Sequence, residues 1–439
     1  MKNYLSTILI YLVLHIPFAA QATPEIQHWV TSNGARVYFV EAPEIPILDV
    51  RFVFDAGSSR DGTKPGLAQL TSSLLREGAG EFDVNLFNDR VADTGAMFST
   101  GALRDMSWIS LRSLSDDKYL IPALALMQAA LSKPRFDTAA FDRRKANTLI
   151  GIKQEKQSPS AIASKAFYAA VYGAHPYATP MSGTEGSVAA LTREDVVAFY
   201  RRFYVAKNAT VAIVGSVSRE QAERIANQLS NDIVSGEVAP PLPGVALLQD
   251  AATQHVEFPS IQSHVVMGQP GIKRGDPDYF SLLVGNHILG GGGLVSILFD
   301  EIREKRGLSY SVNSRFIPMA ELGPFTASLQ TDSSQVDEAI SVLRDEINKF
   351  IASGPTSKDL DAAKQNLIGG FPLRIASNSK ILEYLAMIGF YRLPHDYLQT
   401  FSDHVAAVSV DGVRAAFKRR LLPDKMILVV VGRTDPEDG

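Results

Sequence analysis

The sequence predicts an α+β fold built from two homologous halves. The first observation is an internal repeat: "LTREDVVAFYRRFYVAKNATVAIVG" at 191–215 aligns without a gap on "VSVDGVRAAFKRRLLPDKMILVVVG" at 408–432, an offset of 217 residues. In both copies a helix with an aromatic near its end (Tyr200, Phe417) and a basic residue behind it (Arg202, Arg419) leads through a polar turn into an apolar β run. Each run stops at glycine, Gly215 or Gly432. Secondly, "SGEVAPPLPGVALLQDAATQ", residues 235–254, is punctuated by proline and glycine and holds no sustained period, so it is the expected linker. Thirdly, segments of period two alternate with segments of helical period in each half.

Taken in order, "ARVYFVEA" and "IPILDVRFVFDAGS" are expected strands, and "GLAQLTSSLLREG" at 66–78 is an amphipathic helix with a glycine stop. "AMFSTGALRDMSWISLRSL" predicts a hairpin and "DDKYLIPALALMQAAL" a helix. The second half repeats the scheme with strand "HVVMGQPG", helix "DYFSLLVGNHILGG", paired strands "GLSYSVNSRF" and "GPFTASLQT", and a long helix "QVDEAISVLRDEINKFIAS". The expected organisation is a leader at 1–22, a first domain at 23–234, a linker at 235–254 and a second domain at 255–439.

Composition closes several functional classes. The chain has 439 residues, 46% hydrophobic and 21% charged, enough for more than one domain. A net charge of -4 argues against nucleic acid, which demands a clustered basic surface. With no cysteine there is no disulfide, thiolate nucleophile, thiolate zinc site or lipid-attachment thiol. At the N-terminus, Lys2 precedes an apolar run and "AQA" at Ala20 to Ala22 offers small residues at cleavage spacing, which predicts a signal peptide. The alternative is an uncleaved membrane anchor, but the run is interrupted by His15 and Pro17 and is short for a span of about 20 residues. No later segment approaches a membrane span, so the expected location is an export compartment, most simply a bacterial periplasm.

The order of strand, turn "DAGSSRDGTKPGLA", helix and late "GAHPY" at 173–177, with "LGGGGLVSILFDEIREKRGLSYSV" in the second half, resembles the pitrilysin or insulinase family of inverted zinc metallopeptidases. The resemblance runs through essentially the whole chain after the leader. It implies a metallopeptidase clam-shell in which each half is a mostly antiparallel sheet with helices on one face. The family carries His-x-x-Glu-His on the helix that corresponds to 66–78, two histidines one turn apart on zinc with the glutamate as general base. Aligning on Gly66-Leu67-Ala68 puts Gln69 and Ser73 at the ligand positions, Ser72 at the base and Gly151 at the third ligand, with Glu155 one helical turn further on. An amide and a hydroxyl are poor neutral ligands, and neither serine takes a proton from water without a base. This chain is therefore expected to bind no metal and to show no peptidase activity alone.

Histidines 15, 28, 175, 255, 264, 287, 395 and 404 contain no helical pair that would replace the lost site. His175 reads as a structural turn residue and His287 as a satisfied helix histidine. "LGGGGL" at 289–294 lacks the Gly-Lys-Ser/Thr of a phosphate loop, so Gly290 to Gly293 read as a mobile connection or a close backbone approach, with gating of access left open.

The second half keeps Arg303 and Tyr310 at a seven-residue spacing. In the family, an Arg and a Tyr so spaced reach substrate held at the zinc; by residue type alone, Arg303 is a solvated helix-end residue and Tyr310 a strand packer. Arg306 breaks the spacing. The resemblance therefore implies the non-catalytic subunit of a heterodimer, whose homologous partner brings zinc and the base while this chain supplies Arg303 and Tyr310 to a peptide substrate. The competing reading is a metal-free peptide-binding or structural clam-shell with no part in proteolysis. A hydrolase using Ser72 or Ser73 has no His or acid beside either serine in sequence.

Overall fold

The computed structural model describes residues 23–433; the expected leader lies outside them. The first half runs β1 (Gln27–Val30), β2 (Arg36–Glu41), β3 (Ile47–Phe54), α1 (Leu67–Leu74), α2 (Val84–Thr94), β4 (Met97–Ala102), β5 (Ser107–Leu114), α3 (Asp117–Ser132), α4 (Thr138–Glu155), α5 (Pro159–Tyr172), α6 (Glu185–Ala190), α7 (Arg193–Phe203), β6 (Ala209–Gly215) and α8 (Arg219–Asn231). The second runs β7 (Ala252–Glu257), β8 (Gln262–Pro270), α9 (Tyr279–Asn286), β9 (Ser311–Phe316), β10 (Pro324–Asp332), α10 (Val336–Ser353), α11 (Ser357–Arg374), α12 (Asn378–Tyr391), α13 (Tyr397–Ala406), α14 (Val410–Arg420) and β11 (Ile427–Gly432). Short 3-10 and π turns join several of these.

The strands form a six-stranded sheet, β1-β2-β6-β3-β5-β4, and a five-stranded sheet, β7-β11-β8-β10-β9. Each is antiparallel apart from one pair, β2 with β6 in the first and β7 with β11 in the second. The two repeat strands thus occupy the same place, parallel to one neighbour and antiparallel to the other: β6 to β2 and β3, β11 to β7 and β8. Both are buried along their whole length, which is why they read as continuous apolar runs rather than alternating ones.

Alternation within the other strands sends each sheet's two faces into different cores. On the first sheet, Val37, Phe39, Phe52 and Phe54 pack under α1, α3 and α8 through Leu70, Leu74, Met127 and Leu229. Its opposite face, with Tyr38, Val40, Val53 and Val214, packs on Leu385 and Ile388 of α12, a helix of the second half. The second sheet mirrors this: Ile427, Val429 and Val431 lie against Ala163, Phe167 and Val171 of α5, from the first half. Helices cover one face of each sheet, as the resemblance implies; the other face takes a helix exchanged from the opposite half. Glycine permits the close approach, since a Cβ at Gly389 would stand 2.4 Å from Thr210 and 2.6 Å from Tyr38.

The contact between halves is also polar. Asp105, buried at the β4–β5 turn, accepts from Tyr177 Oη at 2.5 Å, Tyr391 Oη at 2.9 Å and the Ala320 backbone N–H at 2.8 Å. Tyr177 Oη in turn accepts from Glu321 N at 3.0 Å. Burial beside this carboxylate pushes both tyrosine hydroxyls up. Between α8 and β7 there is no helix or strand, and β7 begins at Ala252, inside the stretch expected to be linker. Among the described residues no helix is long and apolar enough to cross a membrane.

Candidate functional site

Helix α1 opens on Gly66, whose φ of 94° is left-handed and whose Cβ would meet Val188 at 2.9 Å. Buried Asp61 accepts from the backbone N–H groups of Gly66 and Ala68 at 2.8 Å each, capping the helix start; burial pushes its carboxyl up to about 7 against the pull of those bonds. The helix is shorter than the sequence predicts, ending at Leu74, with Gly78 at a φ of 104° beyond it.

The lost-motif positions are spoken for or empty. Gln69 is exposed, buried Ser72 donates Oγ to the Gly101 carbonyl at 2.9 Å, and Ser73 donates Oγ to the Leu70 carbonyl at 2.7 Å. At Gly151 a Cβ would meet nothing within 4 Å, so no side chain reaches out from α4 there. Glu155 is paired with Lys165 and accepts from Ser182 Oγ at 3.0 Å. Among the described residues neither serine is hydrogen-bonded to a histidine or carboxylate. Zinc does not fit these residues. Among the described residues no group of three His, Asp or Glu side chains is placed to hold a metal ion.

Arg303 and Tyr310 are brought together. The chain from Phe299 to Glu304 winds as a π turn, and the Arg303 guanidinium lies 4.6 Å from the Phe299 ring centre and 4.6 Å from that of Tyr310. Such wide turns are enriched at functional sites. Two backbone bonds fix the return of the chain, Gly307 N to Arg303 O and Leu308 N to Ile302 O, both 2.9 Å. Tyr310 is 80% exposed although Leu308 and Ser309 before it are buried, so its ring stands out of the fold. Among the described residues, Arg303 has one carboxylate contact, a distant 3.6 Å to Glu304, whereas Arg306 is engaged by Glu301 at 2.6 Å. The pairing leaves a guanidinium edge and a phenol hydroxyl turned to the surroundings.

Solved structures are similar over this whole architecture. A Pseudomonas fluorescens structure, described as the peptidase M16 inactive domain, is 40% identical, with a TM-score of 0.90, covering 93% of this chain and 98% of that one. The chain belongs to the M16 peptidase family. Residues 36–185 match the family model for insulinase (peptidase family M16) and residues 190–367 that for the peptidase M16 inactive domain. A Helicobacter pylori protein named a non-peptidase homolog is 24% identical over 95% of both chains. A Streptomyces coelicolor protein named a zinc protease is 29% identical over 64% of this chain, but only 62% of its own length is spanned. The Escherichia coli periplasmic protease PqqL shares the fold at 18% identity and a TM-score of 0.77, over 46% of its chain. This chain is an inactive M16 member.

The run Gly290 to Gly292 makes close approaches: a Cβ at Gly290 would meet Ser314 Oγ at 2.5 Å and one at Gly292 the His287 carbonyl at 2.5 Å. The helix expected to continue to Gly291 is α-helical only to Asn286, then widens into a π turn. His287 lies in that turn, half-buried and held below its usual pKa by burial, with no ring hydrogen bond among the described residues rather than the satisfied helix role expected. His175 is a turn residue, accepting from Tyr177 N at 3.1 Å and bonded to the Pro243 carbonyl at 2.9 Å. His28 and His395, unrelated in sequence, have ring centres 4.7 Å apart.

One cavity carries no sequence signal. Of about 550 Å³, it lies where the halves meet and is lined by Met106, Met181, Met319, Met387, Trp108 and Tyr168, with Arg51 and Glu383 at its wall. Methionine and aromatic walls suit apolar side chains of varied shape. Its residues come from scattered positions, so no spacing announces it.

Proposed function

We propose that this chain is the non-catalytic subunit of a periplasmic heterodimeric zinc endopeptidase. The observation that carries the reading is the contrast between an α1 helix without metal ligands or base and a half-buried Arg303 guanidinium held against the exposed ring of Tyr310. A homologous partner subunit would hold the zinc and activate water on it. Against a peptide held there, the Arg303 guanidinium forks onto a backbone carbonyl and the Tyr310 hydroxyl donates to the developing oxyanion. Stacking on two rings fixes the guanidinium plane before substrate arrives, so little rotamer freedom is lost on binding. Leu294 and Val295, 72% and 78% exposed, sit on the turn that packs against the Arg303 segment and offer apolar surface for a partner or peptide to cover.

Two measurements test this. Purified with an affinity tag from its native host, the chain should bring down an equimolar second chain, zinc and chelator-sensitive peptidase activity, all absent when it is expressed alone. In the assembled pair, Arg303→Ala and Tyr310→Phe should each lower kcat/KM by about 10²-fold without dissociating the subunits; unchanged kinetics in both variants would remove the role.

The methionine-lined cavity favours a second reading, a metal-free peptide-binding protein with no part in proteolysis. A lone or self-paired chain that binds apolar peptides, with neither zinc nor cleavage in the eluate, would select it.

A further inference from the structure

Under the linker lies a cavity of about 390 Å³ whose wall collects Arg36, Arg60, Lys207, Arg274 and Arg392 against Asp55, Asp105 and Glu321. The carboxylates are already committed. Asp55 takes the two-pronged bond from Arg60 at 2.7 and 2.6 Å, Asp105 accepts from two tyrosines and a backbone N–H, and Glu321 stands 2.6 Å from Lys273. That last ion pair lies off the hydrogen-bond direction, leaving Glu321 Oε2 without a donor. Three guanidinium groups remain. Among the described residues no carboxylate lies within ion-pair distance of Arg36, Arg274 or Arg392.

These three come from separated elements and each is held in place. Arg36, on β2, gives one Nη to Thr210 Oγ1 at 2.8 Å, but its Nε and other Nη are buried with no partner among the described residues. Arg274, in the loop after β8, rests beside the Tyr391 and Tyr279 rings at 5.4 and 5.9 Å and buries an unpartnered Nε. Arg392 closes α12 at a φ of 54°, a left-handed position where glycine is ordinary and arginine is strained. Buried unpartnered donors are rare and costly in a folded protein, and a strained non-glycine residue beside them marks a group retained for its charge. The roof is the linker itself, pinned by Arg60 Nη1 on the Pro240 carbonyl at 2.7 Å and by Ala239 N on Asn208 Oδ1 at 3.1 Å.

We infer that this cavity is a binding site for a phosphate-type oxyanion, held by Arg36 and Arg392 with Arg274 behind them. A tetrahedral oxyanion presents several acceptors to forked donors and matches an excess of fixed positive charge better than water does. Because Arg36 belongs to the first half and Arg274 and Arg392 to the second, its occupant ties the halves together under the linker. The site shares no residue with α1 or with Arg303 and Tyr310.

The test measures binding of inorganic phosphate to the full chain by calorimetry, with the thermal midpoint followed in parallel at constant ionic strength set by chloride. Pyrophosphate and glycerol phosphate are compared to separate free phosphate from a phosphate ester, and acetate serves as the carboxylate control. Wild type is expected to bind phosphate saturably and to melt higher with it. Arg392→Gly relieves the left-handed strain, so it should melt no lower than wild type without phosphate and yet bind phosphate about tenfold more weakly or worse. Arg36→Met provides a second, independent loss. Equal phosphate response in wild type and Arg392→Gly would overturn the site, as would acetate matching phosphate or no saturable binding at millimolar concentration.

Discussion

Replacing Asp105 with asparagine tests how the halves are held. The carboxylate is 3% exposed and accepts three hydrogen bonds, from Tyr177, Tyr391 and Ala320. Asparagine keeps one acceptor and turns an NH₂ group toward donors, so at least one of the three is left facing another donor. Hydrogen bonds to a charged group are worth about 1.5–3 kcal/mol each, and leaving a buried donor unmet costs about 1–3 kcal/mol. Relief from no longer burying a charge offsets part of this. The expected loss is about 3 kcal/mol for Asp105→Asn, against about 1 kcal/mol for Tyr391→Phe, which removes one donor and leaves the carboxylate two others. Equilibrium urea unfolding reports it, since Trp108 lines the neighbouring cavity and its fluorescence follows the same contact. The double variant should lose less than the sum, because the two share a bond. A loss under about 0.5 kcal/mol for Asp105→Asn would refute the view that this network joins the halves.

Gly389→Leu places a side chain where Thr210 and Tyr38 already stand within 2.6 Å, so it should push α12 off the first sheet and cost about 3 kcal/mol or more in chemical denaturation. Gly369→Ala, on an open helical position with nothing within 4 Å, should instead stabilise by about 0.5–1 kcal/mol. His28, His264 and His287 are all held below 6.5 by burial, so the unfolded chain takes up their protons first. Stability from them is fully present above pH 6.5 and is lost as pH falls from there toward the lowered folded values; the thermal midpoint should drop on acidification, and His28→Gln should flatten that drop. Restoring the motif with Gln69→His, Ser72→Glu, Ser73→His and Gly151→Glu should yield a chain that retains zinc on dialysis; a folded variant with none would show that the ligand alignment is misplaced.

What the sequence disclosed and what it hid follow from the range of each signal. The repeat ending in Gly215 and Gly432 revealed two matched strands, and the structure gives them matched neighbours, because a strand buried on both sides leaves an unbroken apolar run. The family resemblance singled out Arg303 and Tyr310 where residue type and spacing alone did not, but the π winding that brings them together depends on hydrogen-bond register, which residue type does not encode. The exchange of α5 and α12 was not legible, since an apolar helix face says that it is covered and not by which sheet. Asp105 carries no signal of its own in the sequence, because its three donors come from positions 72, 215 and 286 residues away. The same distance hid the meeting of Arg36, Arg274 and Arg392 and that of His28 with His395.

The exchanged helices bear on the order in which the chain is made. Helix α5 is complete at Tyr172, yet the strands that cover it, β8 and β11, end only at Pro270 and Gly432. As the chain emerges, Phe167 and Val171 have no part of the second sheet to rest on until β8 is made, and their cover is complete only once β11 follows. The first sheet waits likewise for α12. The core under α1, α3 and α8 closes from first-half residues alone, but the faces that take α5 and α12 stay open until the second half is made, so the nascent chain carries uncovered apolar surface while aggregation competes with folding and a holding chaperone has most effect.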